Sequence, residues 1–302
     1  MKAVDIFLVL VAVTIWGLNF VVIKLGLRDL PPILFSALRF FFATFPLIFF
    51  LKRPAIPWRL LIGLSAFQFM LQFPLLFSGI KLGFPPGLAS LVIQLQALFT
   101  MSLAVILLDE RPRRAQIIGG LIALSGMVLV AVELDGKPTL IGFVLVLAAA
   151  LCWGTANIFT KKIGKVEPLA LVVWAALLAT PPLFVLSFIV EGPSAWRQAA
   201  TQMNWGSAGA IFFQSYPNTI IGYGIWSLLI RKYPAATIVP FALLVPVTGM
   251  LGATIVLGEP MQWWKLVAGA LVIGGLAFSL FGVRLLQVLR LVPRRESATP
   301  LR

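Results

Sequence analysis

The 302-residue chain is 60% hydrophobic and only 11% charged, whereas about a quarter of the residues in an average soluble domain are charged. Its apolar residues form blocks of about 20 residues, enough to cross ~30 Å of hydrocarbon, which predicts an all-α integral membrane protein and excludes a β-barrel with short alternating strands. The net charge of +14 lies in short basic groups between these blocks, which excludes a continuous nucleic-acid-binding stripe. The sequence has no histidine, which excludes imidazole catalysis and His-based metal sites. Its single cysteine, Cys152, excludes an intrachain disulfide.

Ten membrane-spanning helices are predicted in chain order, separated by short turns rich in glycine and proline. We interpret the first block as a retained span rather than a cleaved signal peptide, because helix after helix follows it. The longest connection, 191–205, is expected to be a polar loop whose Trp196 and Trp205 suit a membrane interface. The predicted spans cover residues 4–26, 33–51, 60–80, 87–108, 116–133, 140–160, 168–190, 206–229, 235–257 and 264–286.

The basic residues predict the orientation of these spans. With the amino terminus in the cytoplasm, 17 of the 24 Lys and Arg residues fall on the cytoplasmic side and 6 on the outer side, while Arg39 lies within a span. Because cytoplasmic segments of membrane proteins are enriched in Lys and Arg, both termini are predicted to be cytoplasmic.

The two halves of the chain repeat each other. The segment from Thr14, TIWGLNFVVIKLG, recurs from Leu151 as LCWGTANIFTKKIG, and later matches follow at similar offsets. Because each half has an odd number of spans, five, we expect the second half to be inverted in the membrane, although a duplication without mechanistic role is an alternative. The predicted organisation is a first five-helix repeat over 1–138, an inverted one over 139–290 and a basic cytoplasmic tail over 291–302. The matched pairs are Trp16 with Trp153, Gly17 with Gly154 and Lys24 with Lys161 at an offset of 137, and Glu110 with Glu259, Gly120 with Gly269 and Gly126 with Gly275 at 149.

Six segments spread over the chain carry a family resemblance: WGLNFVVIKLG at 16–26, LRF at 38–40, GLASLVIQLQALFT at 87–100, LLDERP at 107–112, GYGIWSLL at 222–229 and PFALLVPVTGM at 240–250. In their order and spacing the chain resembles the drug/metabolite transporter superfamily with two EamA-type repeats, and within it the bacterial O-acetylserine/cysteine and amino-acid exporters. The resemblance implies a bacterial inner-membrane exporter of amino acids and related metabolites, aromatic ones among them. It also implies a central cavity lined mainly by spans 1, 3, 4, 6, 8 and 9.

Aromatic and amide side chains recur on the first span of each half. Trp16 and Asn19 are three residues apart and share a helix face, as do Trp153 and Asn157, which are four apart. An amide facing lipid is costly, so we favour a cavity-facing position for both pairs. Alternatively, the amides only tie neighbouring helices together.

Spans 3, 4 and 8 supply further polar candidates. Gln72 lies just before Pro74, which frees backbone groups and can kink the helix. Gln94 and Gln96 point to different sides of a regular helix, and we favour Gln94 for the cavity. Trp226 is either a cavity residue or an interface anchor. The predicted substrate-binding residues are Trp16, Asn19, Gln72, Gln94, Trp153, Asn157 and Tyr223.

Charged residues inside the spans are few. Arg39 is expected to extend its side chain to the outer interface, because its counterpart in the repeat is the apolar Ala175; pairing with a cargo carboxylate is the alternative. Asp109, Glu110 and Glu259 lie at helix ends, so no mid-span carboxylate is available as a proton relay. We therefore expect transport that is facilitated or coupled to something other than such a relay.

A pocket of indoles, phenols and amides suits a zwitterion with a neutral side chain. Nucleotide sugars would require converging Lys or Arg residues, so a nucleotide-sugar transporter is the alternative, followed by a channel or an accessory membrane subunit. We expect no enzyme activity, catalytic residue, cofactor or metal, since only Asp109 and Glu110 beside Arg111 approach a catalytic cluster. The expected partners are a small-molecule cargo and the lipid bilayer, and the small residues in the spans permit close packing in a monomer.

Overall fold

The computed structural model describes residues 1–45, 47–110, 112, 114–133, 137–233 and 235–288, and all regular structure in these ranges is helical. The predicted all-α class is thus confirmed. The predicted tail over 291–302, Arg111 and the turn at 134–136 lie outside the described residues. The helices are α1 (Ala3–Gly26), α2 (Pro32–Thr44), α3 (Trp58–Lys81), α4 (Pro86–Leu108), α5 (Arg114–Val132), α6 (Lys137–Ile163), α7 (Pro168–Val190), α8 (Gly192–Gln202), α9 (205–232), α10 (235–257) and α11 (Trp263–Val288).

Within the described ranges, seven helices, α1 to α7, are long and apolar enough to cross a membrane. For α2 this counts the whole stretch Pro32–Phe49 as one span. Two shorter apolar stretches, Phe241–Leu257 and Trp263–Ser279, lie in α10 and α11. Helix α9 corresponds to the predicted eighth span, but Gln214 and Asn218 are among the polar residues that interrupt its apolar sequence. The chain is therefore a multi-pass membrane protein, and the number of ten crossings stays a prediction.

The connection 191–205, expected to be a loop, is instead mostly helical. Helix α8 begins at Gly192, which has a left-handed φ, and has Pro193 in its first turn, where the missing N–H of proline costs no helical hydrogen bond. Trp196 packs against Phe184 and Phe188 of α7 and donates a hydrogen bond to the Ser187 hydroxyl. The expectation was wrong because polar composition alone does not distinguish a surface helix from a loop.

Local backbone features recur at the same offset as the sequence matches. Helix α3 contains a π-helical turn over Ala66–Leu71 and α9 one over Gln214–Ile221, 149 residues later with one additional residue at each end. Helices α4 and α10 both end in a left-handed residue, Asp109 and Gly258, which are also 149 apart. Left-handed glycines also follow α3 and α6, at Gly83 and Gly164, so it is the spacing of 149 residues between Asp109 and Gly258 that agrees with the repeat.

Contacts between the halves are reciprocal. Helix α1 packs on α10, and α6 packs on α4. A Cβ atom added to Gly17 would lie 2.8 Å from the backbone nitrogen of Gly249, and one added to the matching Gly154 would lie 3.0 Å from that of Thr100. Thr100 and Gly249 are again 149 residues apart. Glycine in the WG pair therefore allows the first helix of each half to approach the backbone of the other half at an equivalent place.

Candidate functional site

A cavity of about 460 Å³ lies near the middle of the helices, a size typical of small-molecule sites. Side chains of α1, α3, α4, α6, α9 and α10 line it, which are the helices of the six spans named by the resemblance, and α2 contributes Arg39. All seven candidate residues from the sequence lie on its wall. These are Trp16, Asn19, Gln72, Gln94, Trp153, Asn157 and Tyr223. The geometry places them together, while their role in binding cargo stays a prediction.

An aromatic cluster forms one side of the cavity. The ring of Trp16 lies 5.5 Å from that of Tyr223 and 5.1 Å from that of Trp226, both tilted, within the range of favourable aromatic contacts. The indole nitrogen of Trp16 donates a hydrogen bond of 3.2 Å to the backbone carbonyl of Asn218. Trp226 is thus part of the cavity wall rather than an interface anchor.

The carbonyl that Trp16 uses lies in the π-helical turn of α9, next to Pro217. A π turn widens the helix by one residue, so some carbonyls lose their usual intrahelical partner. The bond from Trp16 to a carbonyl of this turn joins α1 to α9 at the level of the cavity.

The amide side chains of α3, α4 and α6 form two separate hydrogen-bonded groups. The Asn157 side-chain nitrogen donates to Gln96 Oε1 at 2.6 Å and to Thr100 Oγ1 at 3.0 Å, and Gln68 Nε2 donates to Gln72 Oε1 at 2.7 Å. Asn157 therefore ties α6 to α4, as the alternative interpretation of the amides proposed, while also lining the cavity.

Gln96 lines the cavity together with Gln94, so the prediction that one of the two would point elsewhere was wrong. Helix α4 changes to a 3-10 turn over Ile93–Leu95 and returns to an α-helix at Gln96. The rotation per residue differs in such a turn, and positions two apart no longer separate as they do in a regular helix.

Arg39 does not extend to the membrane interface, contrary to the expectation. Its side chain is 2% exposed and lines the cavity. The guanidinium carbon lies 4.1 Å from the Phe73 ring centre and 5.0 Å from that of Phe40, and Nη2 donates to Thr219 Oγ1 at 3.3 Å. The expectation failed because these neighbours come from α2, α3 and α9, which only the folded bundle brings together.

Several polar atoms of the cavity wall have no hydrogen-bond partner among the described residues. They are the donors Nε and Nη1 of Arg39 and the acceptors Oδ1 of Asn19 and Asn218. Sequence reasoning did not select Asn218 for the site, although its position beside Pro217 in a polar run was a usable signal. Residues of the wall thus carry buried donors and acceptors without partners, which are rare in native structures and call for an explanation.

The EamA-like transporter family model matches residues 4–132 and 140–281. A relative from Salmonella typhimurium, named a probable amino-acid metabolite efflux pump, is 40% identical over 296 residues, which cover 96% of this chain and 99% of that protein. A relative of the same name from Escherichia coli is 38% identical over 290 residues, covering 94% and 97%. One crystal structure, of a protein whose sequence is 21% identical, has a similar fold, with a TM-score of 0.65. The alignment covers 95% of this chain and 100% of that chain.

Proposed function

Because the chain belongs to the EamA-like transporter family, we propose that it exports neutral amino acids and related metabolites across the bacterial inner membrane by alternating access through the central cavity. The predicted membership of the drug/metabolite transporter superfamily is confirmed by the same matches. Aromatic amino acids, cysteine and O-acetylserine are the cargo candidates. Two relatives named as amino-acid metabolite efflux pumps support this cargo class.

The observation that carries the proposal is the cavity itself. Its wall combines indoles, a phenol and amides with one cation among the described lining residues, Arg39. Indole and phenol rings offer apolar surface to a side chain, and amides offer hydrogen bonds to a zwitterion. A cargo with several phosphates would need more converging cations, so the wall supports an amino acid over a nucleotide sugar.

The proposed architecture is ten spans arranged as two inverted five-helix repeats, over 1–138 and 139–290, with both termini in the cytoplasm. The π-helical turns and left-handed helix ends that recur 149 residues apart support the repeat, and the distribution of Lys and Arg supports the orientation. Inverted repeats allow one structure to open to either side of the membrane. Among the described residues that line the cavity there is no carboxylate, which supports transport without a proton relay in the cavity.

A counterflow assay tests the proposed function. The purified protein is reconstituted in liposomes, which are preloaded with one unlabelled neutral amino acid at a time. Uptake of the labelled amino acid from outside is then followed. We expect saturable exchange that prefers aromatic, sulfur-containing or small polar side chains. Liposomes without protein provide the control, and the absence of exchange with every amino acid would overturn the proposal, whereas flux that does not saturate would indicate a channel.

A further inference from the structure

We infer that Arg39 binds the carboxylate of an amino-acid cargo, and that the side-chain oxygens of Asn19 and Asn218 accept hydrogen bonds from its ammonium group. The inference rests on the proposed function and adds to it an orientation of the cargo within the cavity. It also adds a chemical requirement, because a cargo recognised in this way must have a free carboxylate.

Arg39 is a buried cation without a counterion in the part of the chain that the structure describes. No carboxylate of the described residues forms an ion pair with it, and two of its three guanidinium nitrogens have no partner. Uncompensated charge within a membrane bundle is costly and usually marks a functional group. The Phe40 and Phe73 rings and the Thr219 hydroxyl hold the guanidinium in place, but none of them neutralises its charge. An anion that enters the cavity would supply the missing partner.

The chemistry of a guanidinium favours a carboxylate as that anion. Its N–H groups lie in one plane and match the two oxygens of a carboxylate, which gives short charge-assisted hydrogen bonds. The aromatic contact with Phe73 fixes the plane and the bond to Thr219 fixes its rotation, so little side-chain freedom remains to be lost on binding. The geometry is therefore preorganised for a planar, singly charged group.

The acceptors for an ammonium group lie on α1 and α9, and the π-helical turn of α9 that carries Asn218 contacts both α1 and α2. Asn19 and Asn218 are 6% and 4% exposed, and the side-chain oxygen of each lacks a donor among the described residues. By contrast, the amides of Asn157, Gln96 and the Gln68–Gln72 pair are bonded to one another. Free donors and free acceptors thus occur together on α1, α2 and α9, and an ammonium group, which has only donors, fits the two free oxygens.

Competition in liposomes tests the carboxylate requirement in the wild-type protein. Exchange of labelled L-phenylalanine is measured against unlabelled L-phenylalanine, its amide, which lacks the carboxylate charge, and 3-phenylpropionate, which lacks the ammonium. We expect the amide and 3-phenylpropionate to compete at least about tenfold less well than the amino acid, as the loss of a charge-assisted pair implies. If L-phenylalanine is not exchanged, L-cysteine and its amide replace it.

The variant Arg39→Gln tests the residue. We expect the preference for acid over amide to fall towards one, and the cargo-free variant to melt at the same or a higher temperature than the wild type, because an unpaired buried cation is removed. A structural role would instead lower the melting temperature. Arg197→Gln, which removes an exposed cation of α8, is the control and should keep the preference.

The outcomes separate the two proposals. If the wild type exchanges no amino acid, the proposed function fails and the inference falls with it. If it exchanges amino acids and their amides equally well, or if Arg39→Gln keeps the preference, the function stands and the carboxylate assignment is overturned. If Arg39→Gln does not fold, two other measurements decide the question. One is the acid–amide comparison in the wild type, and the other uses Arg39→Lys, which keeps the charge but loses the planar fork.

Discussion

Asn19 and Asn157 are the two amides on the first helix of each half, and they differ in their bonding. Asn157 donates two hydrogen bonds from α6 to α4, to Gln96 and Thr100, while the oxygen of Asn19 has no donor among the described residues. Both line the cavity. The oxygen of the first amide is thus without a partner, whereas the second amide joins two helices.

Alanine at these two positions should separate stability from transport. We expect Asn157→Ala to lower the stability of the purified protein by about 1 kcal/mol, since hydrogen bonds between membrane helices contribute roughly 0.6 to 1.7 kcal/mol, and to weaken transport as well. Asn19→Ala should weaken transport while leaving stability unchanged. Thermal melting and counterflow on the same preparations check both, and normal flux in the two variants would remove both residues from the site.

The sequence predicts residues of this site where the helix is regular. Trp16, Asn19, Trp153 and Asn157 follow from spacings of three and four residues, and these side chains do share the cavity. Spacing fails at Gln96, because a 3-10 turn precedes it. It also cannot place Arg39, whose burial depends on two phenylalanines and a threonine that the fold supplies.

At the scale of the element, α5 and α11 are held together by backbone contact. A Cβ atom added to Gly275 of α11 would lie 2.5 Å from the Gly119 carbonyl oxygen and 2.6 Å from the Ala123 nitrogen. These are backbone atoms, which cannot rotate away as side chains can. Small residues allow such close approach between membrane helices, where apolar burial alone provides little association energy.

Leucine at two adjacent glycines of α11 tests this packing. We expect Gly275→Leu to reduce stability by about 3 kcal/mol, the upper end of the usual cost of overpacking, because α5 would have to move away. Gly274→Leu is the matched control, since a Cβ there meets no heavy atom within 4 Å, and it should melt at or above the wild-type temperature. Equal melting of the two variants would show that the α5–α11 contact contributes little.

The local sequence predicts the bounds of the helices but not their irregular turns. Predicted spans follow apolar blocks, and the first of them, 4–26, matches α1 at Ala3–Gly26 to within one residue. The π-helical turns of α3 and α9 had no such signal, since Pro74 lies beyond its turn and Pro217 lies within the other. Turns at equivalent places with prolines at different places indicate that packing around the cavity, rather than one proline, determines them.

At the scale of the whole molecule, the repeat relates two pairs of charged residues. Lys24 corresponds to Lys161, and Glu110 corresponds to Glu259. In the structure Lys161 and Glu110 form a salt bridge, whereas the Lys24 ammonium lies 3.5 Å from the Ile80 carbonyl oxygen instead. In the proposed inverted topology the two pairs belong to opposite membrane faces. One face is thus linked by a salt bridge, whereas Lys24 and Glu259 do not form one, although the Lys24 charge still acts on the Glu259 carboxylate.

Under the proposed alternating access we expect the two pairs to exchange these states during transport, which predicts opposite cross-linking behaviour. In a Cys152→Ala background, cysteines at positions 161 and 110 should be joined readily in the resting protein. The thiol-specific, cleavable cross-linker should be about as long as the Lys161 and Glu110 side chains that it replaces. Cysteines at 24 and 259 should be joined only when a cargo amino acid is present to drive turnover.

Either cross-link should stop counterflow, and cleavage of the linker should restore it, because one face is then held closed. The variants with only one of the two cysteines serve as controls and should remain active, since an exposed salt bridge such as Lys161–Glu110 contributes at most about 1 kcal/mol to stability. Unchanged counterflow with either pair joined would mean that the two faces do not open in turn, and the inverted repeat would then reflect duplication without a role in the transport cycle.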